Sequence, residues 1–212
     1  NLIIHAGHGK TGSSYLQSVF ALNRKLLKQE GFHYPKHDSD KSSMRGFISS
    51  GNGAQILLDN FHDMEHEKLF FSNELLFHGL LNNTKLLKSI SERYNLEVVL
   101  YLRDVIEHRV SAWTQNVKRG GLTQDLNTFL LVTKSVMPNV VRWIQISKKM
   151  GFVLTLRNYS KQKNSLIEDF FGNVLKIQRP LKKVILPKQK IVNRSLSFSE
   201  IEIQRVFNAA FG

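Results

Sequence analysis

Leu2-Ile3-Ile4-His5-Ala6-Gly7-His8-Gly9-Lys10-Thr11-Gly12-Ser13-Ser14-Tyr15-Leu16-Gln17 opens as an apolar strand and runs into a turn with three glycines, one lysine and three small hydroxyl residues. Glycine lets backbone N–H groups come close to an anion. A helix starting near Ser13 points the positive end of its dipole at the same place, and Lys10 adds a full charge. Together these are the parts of a phosphate cradle. The plainer alternative is a glycine-rich turn that only joins a strand to a helix.

Outward from this stretch, strand and helix signals alternate. Strands are expected at Leu2–Ile4, Phe32–Tyr34, Leu69–Ser72, Val98–Leu102 and Phe152–Leu156. Helices are expected at Ser14–Gln29, about Ala54–Phe61, Asn83–Tyr94, Ile106–Val117, Leu126–Thr133, Asn139–Met150 and Phe198–Ala209. Gly31 stops the first helix, and Gly120-Gly121 ends another. This alternation predicts an α/β fold, a central parallel sheet flanked by helices. The length of 212 residues and the 42% hydrophobic content suit one domain over 1–212 with a buried core. The polar segment His37–Gly53 is the candidate for a mobile loop on the acceptor side.

The cradle is not a Walker A loop. That motif, G-x-x-x-x-G-K-[ST], would need its leading glycine where Ile4 stands, inside the strand. Read as Lys10-Thr11-Gly12-Ser13-Ser14-Tyr15-Leu16, the turn instead resembles the K-[ST]-G-[ST]-[ST]-x-L signature of the sulfotransferases. These enzymes use it to hold the 5′-phosphosulfate of PAPS (3′-phosphoadenosine 5′-phosphosulfate). The resemblance implies a P-loop-like sulfotransferase architecture, with Gly9, Lys10, Thr11, Gly12, Ser13 and Ser14 around the phosphosulfate.

A second segment points the same way. Leu96-Glu97-Val98-Val99-Leu100-Tyr101-Leu102-Arg103 reads as a buried strand with an arginine at its C-terminal end. In sulfotransferases an Arg leaving a central strand and a Ser eight positions later grip the nucleotide's 3′-phosphate, and Arg103 with Ser111 keeps that spacing. The chemistry agrees, since a guanidinium can bind phosphate through two parallel hydrogen bonds. The alternatives are Arg103 paired with Asp104 or Glu107, and Ser111 as a solvated helix serine. Asp104 is read as a helix N-cap rather than a Walker B carboxylate.

Transfer of a sulfuryl group to a hydroxyl needs a base for the nucleophile and a cation at the leaving group. Lys10 is the cation. Glu74 is the candidate base, because it follows the strand signal Leu69–Ser72, and catalytic groups of open α/β sheets gather at the C-terminal ends of strands. The resemblance supports it, since many bacterial members carry a Ser-x-Glu there. The competing assignment is a capping-box glutamate, with Ser72 or Asn73 starting the next helix. His78 is the second candidate base. His5 and His8 flank the cradle. By resemblance Tyr159 is an adenine neighbour and Arg194 a phosphate contact, while Trp113 is read as a core aromatic. The sequence has no cysteine and no H-E-x-x-H, and no metal site is expected.

With 30 Lys+Arg against 17 Asp+Glu the formal charge is +13, which favours anionic partners. PAPS is one such partner. Much of the surplus lies at Lys148-Lys149, Lys161, Lys163 and from Lys176 to Arg194, a surface fit for an acidic glycan or simply a solvated face. No nucleic-acid-binding signature or membrane-spanning run is read, and the lack of cysteine suits a cytoplasmic setting. The expected function is a PAPS-dependent sulfotransferase acting on a carbohydrate hydroxyl and releasing PAP (adenosine 3′,5′-bisphosphate). The alternatives are a P-loop nucleotide kinase-like phosphotransferase and a polyanion-binding protein without catalysis. Oligomeric state is left open.

Overall fold

The computed structural model describes residues 1–7, 9–36, 40–45, 68–177, 183–188 and 196–212. In chain order the elements are β1 (Leu2–His5), α1 (Ser13–Leu22), α2 (Arg24–Gln29), α3 (Asp40–Met44), β2 (Leu69–Ser72), α4 (Leu75–Asn82) and α5 (Thr84–Arg93). There follow β3 (Leu96–Leu102), α6 (Val105–Gly120), α7 (Leu126–Val132), α8 (Met137–Met150), β4 (Val153–Asn158), α9 (Tyr159–Gln162) and α10 (Leu166–Glu168). A π-helical segment, Asp169–Val174, continues α10, and α11 (Phe198–Phe211) is last. The fold is α/β, as the alternation predicted.

All four strands are parallel, in the order β2-β1-β3-β4. Ile4 stands opposite Phe71 on one side and Val98 on the other. Both faces of the inner strands are covered, which is why they read as unbroken apolar runs instead of alternating ones. On one face Ile4, Phe71, Val98 and Leu100 pack with Leu80, Leu87 and Trp143 of α4, α5 and α8. On the other, Phe70, Val99 and Tyr101 pack with Phe20 of α1 and Phe170 of the π-helical segment. A third, smaller cluster joins Trp113, Phe129 and Ile201 of α6, α7 and α11.

The strand order decides where a site can form. From β1 the chain moves outward to β2, then returns across β1 to β3 and continues to β4. Connections leave β1 and β3 in opposite directions, which opens a crevice at the C-terminal ends of those two strands.

Two of the expected elements come out otherwise, and α3, α4, α9, α10 and the π-helical segment form where no element was expected. Phe32–Tyr34 is not a strand but a single bridge from His33 to Leu69. Gly31, at φ +84°, and Pro35, which has no N–H, confine it to three residues. Its apolar signal comes from packing under α1, with the Phe20 and Tyr34 rings 5.8 Å apart. The helix expected over Ser14–Gln29 breaks at Asn23. There the side chain donates to the carbonyls of Val19 and Ile185, both at 2.7 Å, and accepts from Ile185 N–H at 2.8 Å. A side-chain amide that bonds the backbone in this way competes with helix continuation. The helix expected at 54–61 lies outside the described residues. So does most of the acceptor-side loop, of which Asp40–Met44 is the helix α3, tied to α2 by an Arg24–Asp40 ion pair of 2.7 Å.

Candidate active site

The turn after β1 departs from ordinary backbone at three positions, with φ of +80° at Gly9, +61° at Lys10 and +74° at Gly12. The turn packs closely. A side chain at Gly12 would meet Leu166 at 2.6 Å and Tyr159 at 3.1 Å, and one at Gly7 would meet Ser13 at 3.3 Å. Gly12 is the N-cap of α1, so no side chain caps that helix, and its first turn holds no acidic residue. The N–H groups there are left for another acceptor. Thr11 is fully buried, and its hydroxyl has no partner among the described residues. Ser14 is half-buried in the first turn of α1.

Glu74 comes to this turn from β2. The capping at the start of α4 is done by Asn73, whose side-chain oxygen accepts from Leu75 N–H at 2.9 Å. Glu74 itself caps nothing; its carboxylate instead accepts a hydrogen bond from the Ser13 hydroxyl, 61 positions away in sequence. An added Cβ at Gly9 would lie 3.8 Å from its other oxygen. The capping-box alternative is therefore replaced by a contact from the end of β2 to the first residue of α1. Lys10 is half-buried, and burial lowers its pKa from the ordinary lysine value. Glu74 acts in the opposite sense, while Arg119, Lys118 and Arg103 lower it further.

Arg103 arrives from β3. It donates to the Lys10 carbonyl at 3.3 Å and to a carboxylate oxygen of Glu107 at 3.1 Å, and its guanidinium sits 5.7 Å from the Tyr159 ring centroid. Asp104 is the N-cap of α6, accepting from the N–H groups of Ile106 at 2.9 Å and Glu107 at 3.0 Å. Ser111 is half-buried on α6, two helical turns beyond Arg103. Beside Arg103 a groove of about 360 Å³ runs between the ends of β3 and β4, walled by Leu102, Val105, Met137 and Leu156.

The topology thus brings Lys10, Ser13, Glu74, Arg103 and Tyr159 to one end of the sheet. His78 is exposed on α4 with its ring edge-on to Phe77 at 4.9 Å, and among the described residues no hydrogen bond ties it to the cradle. His5 belongs to the core. It is fully buried, shares a hydrogen bond of 2.8 Å with Ser72, and burial holds its pKa down to about 3, so the ring is neutral. Trp113 is 1% exposed and donates to the Gln124 carbonyl at 2.9 Å. His8 and Arg194 lie outside the described residues.

Two arrangements went unread in the sequence. Asp169 is buried and takes hydrogen bonds from Tyr101 at 2.7 Å, from Asn173 at 2.8 Å and from both nitrogens of an Arg157 fork. Arg157 therefore draws its acid from the π-helical segment. Burial pushes the Asp169 carboxyl up, yet the bonds from Arg157, Tyr101 and Asn173 outweigh it and hold it below the usual carboxylate range. The second is Ser160, which bonds Glu107 and the Asp104 N–H, both at 3.3 Å. The Arg103–Glu107 pair, by contrast, is visible in the sequence from its spacing.

Comparison with protein families, curated proteins and solved structures finds no match for this chain. Among the described residues, no helix is long and apolar enough to cross a membrane.

Proposed function

We propose that this chain is a PAPS-dependent sulfotransferase that moves a sulfuryl group to a hydroxyl, in the first instance on a carbohydrate. One observation carries the reading. The turn bearing Lys10, the carboxylate of Glu74 and the guanidinium of Arg103 meet at the crevice between β1 and β3, joined by the Ser13–Glu74 and Arg103–Lys10 contacts.

In this reading the N–H groups at the start of α1, Ser13 and Lys10 hold the phosphosulfate. The acceptor hydroxyl gives its proton to Glu74 as its oxygen bonds to sulfur, and the bond from sulfur to the bridging oxygen of the phosphosulfate breaks. Charge gathers on that oxygen, and the Lys10 ammonium stabilises it. PAP leaves with the bonding pair. Arg103 and Ser111 hold its 3′-phosphate and Tyr159 borders the adenine. Isothermal titration without added metal tests the nucleotide. PAP binding tighter than ATP supports the proposal, and the reverse order replaces it with a phosphotransferase. Incubation with labelled PAPS and a panel of oligosaccharides then tests transfer; label that stays with the nucleotide throughout leaves a binding protein.

A further inference from the structure

Arg103, which this reading assigns to the 3′-phosphate, already carries a carboxylate. Glu107 lies 3.1 Å from its Nε, with the Arg103 side chain 25% exposed and that of Glu107 47%. Glu107 and Ser111 are four apart on α6 and share one face of it, and Arg103, just before the N-cap Asp104, reaches that face through its ion pair with Glu107. The carboxylate therefore sits against the guanidinium, one helical turn before Ser111. A phosphate bridging Arg103 and Ser111 would meet Glu107 at the guanidinium.

A doubly charged phosphomonoester and a carboxylate repel one another and compete for the same guanidinium donors. Glu107 has another partner at hand. The Ser160 hydroxyl at the start of α9 donates to the same oxygen, Oε2, at 3.3 Å, so the carboxylate can leave Arg103 and keep a hydrogen bond. Ser160 also accepts from Asp104 N–H, which fixes its place at the entry to α6.

We infer that Glu107 is the resident counter-ion of the phosphate site, displaced by the nucleotide's 3′-phosphate, and that it limits how tightly PAP is held. The inference rests on the proposed function and adds a specificity residue to it. Its consequence is kinetic. A site that regains its own counter-ion when PAP departs releases product faster than one left with a bare guanidinium, and product release often limits turnover.

The test is isothermal titration of the full chain and its Glu107→Gln and Glu107→Asp variants with PAP and with adenosine 5′-phosphate, which lacks the 3′-phosphate. Glu107→Gln is expected to bind PAP about fivefold more tightly, the upper range for one partly exposed ion pair, with adenosine 5′-phosphate unchanged. Glu107→Asp keeps the charge and is expected to bind both ligands like the parent. If the parent binds PAP and Glu107→Gln binds it equally or more weakly, Glu107 positions Arg103 and the inference is overturned while the nucleotide reading stands. A parent chain that binds no PAP overturns both.

Discussion

Replacing Gly12 by alanine tests whether the turn is as tightly built as its geometry indicates. Two costs add. At φ +74° a Cβ-bearing residue occupies the left-handed region at about 1 kcal/mol. The new methyl would also stand 2.6 Å from Leu166 Cδ2 and 3.1 Å from the Tyr159 ring. Leu166 is itself buried against Phe170 and Phe171, so it cannot swing clear, and overpacking of this kind costs about 1–3 kcal/mol. The sum, about 2–4 kcal/mol, lowers the melting temperature of a domain this size by roughly 6–12 °C. Gly121→Ala is the control, because that residue has φ +65° with nothing within 4 Å of the added atom. It bears the conformational cost alone, roughly 2–4 °C. Thermal unfolding followed by circular dichroism compares them. Melting temperatures within about 2 °C of each other would refute the claim that the cradle is packed against Tyr159 and Leu166.

Lys10→Ala and Arg103→Ala each remove a charge-assisted contact to phosphate and are expected to weaken PAP binding about tenfold to a hundredfold by titration. Glu74→Gln is expected to keep PAP affinity and to lower kcat by about 10²–10⁴, the range for a lost general base; undiminished turnover removes Glu74 from that role. Asp169→Asn leaves a partly buried Arg157 without its counter-charge and is expected to cost roughly 2–3 kcal/mol in urea unfolding at neutral pH. Because the folded Asp169 pKa is depressed, its contribution is present above the unfolded carboxylate value and fades as pH falls through the folded one. The gap between parent and variant should therefore narrow at pH 3, and a gap that stays constant contradicts the assignment.

The strands were legible because each buried strand is a short apolar run ended by a polar residue or turn, and that pattern depends on nothing distant. The start of α6 was equally local, since Asp104 caps it through the N–H groups of Ile106 and Glu107, two and three residues on. What could not be read depends on partners far along the chain. Asn23 breaks a helix because it bonds residue 185, and the Phe32–Tyr34 segment is apolar because Phe20 lies over it. Glu74 is divided by the same boundary. Its place after a strand was visible, but whether it would cap α4 or cross to Ser13 depended on Asn73 taking the cap. The Arg157–Asp169 pair went unread because its members are 12 positions apart, on β4 and the π-helical segment.

Lys10 combines features that each oppose folding. It holds a left-handed backbone where glycine would be at ease, and burial penalises its ammonium. Arg103, Lys118 and Arg119 repel it, with Glu74 as the compensating charge. A left-handed lysine alone signifies little, for Lys176 has φ +55° in this same chain, at an exposed position. The difference lies in company and burial. Glycine at position 10 would relieve the backbone and the desolvation together, and would give up a cation that interacts with Glu74. Strain of this kind persists where the group that causes it is needed in place. Under the proposed reaction that need is specific: an ammonium already fixed at the leaving oxygen requires no rearrangement as charge develops there.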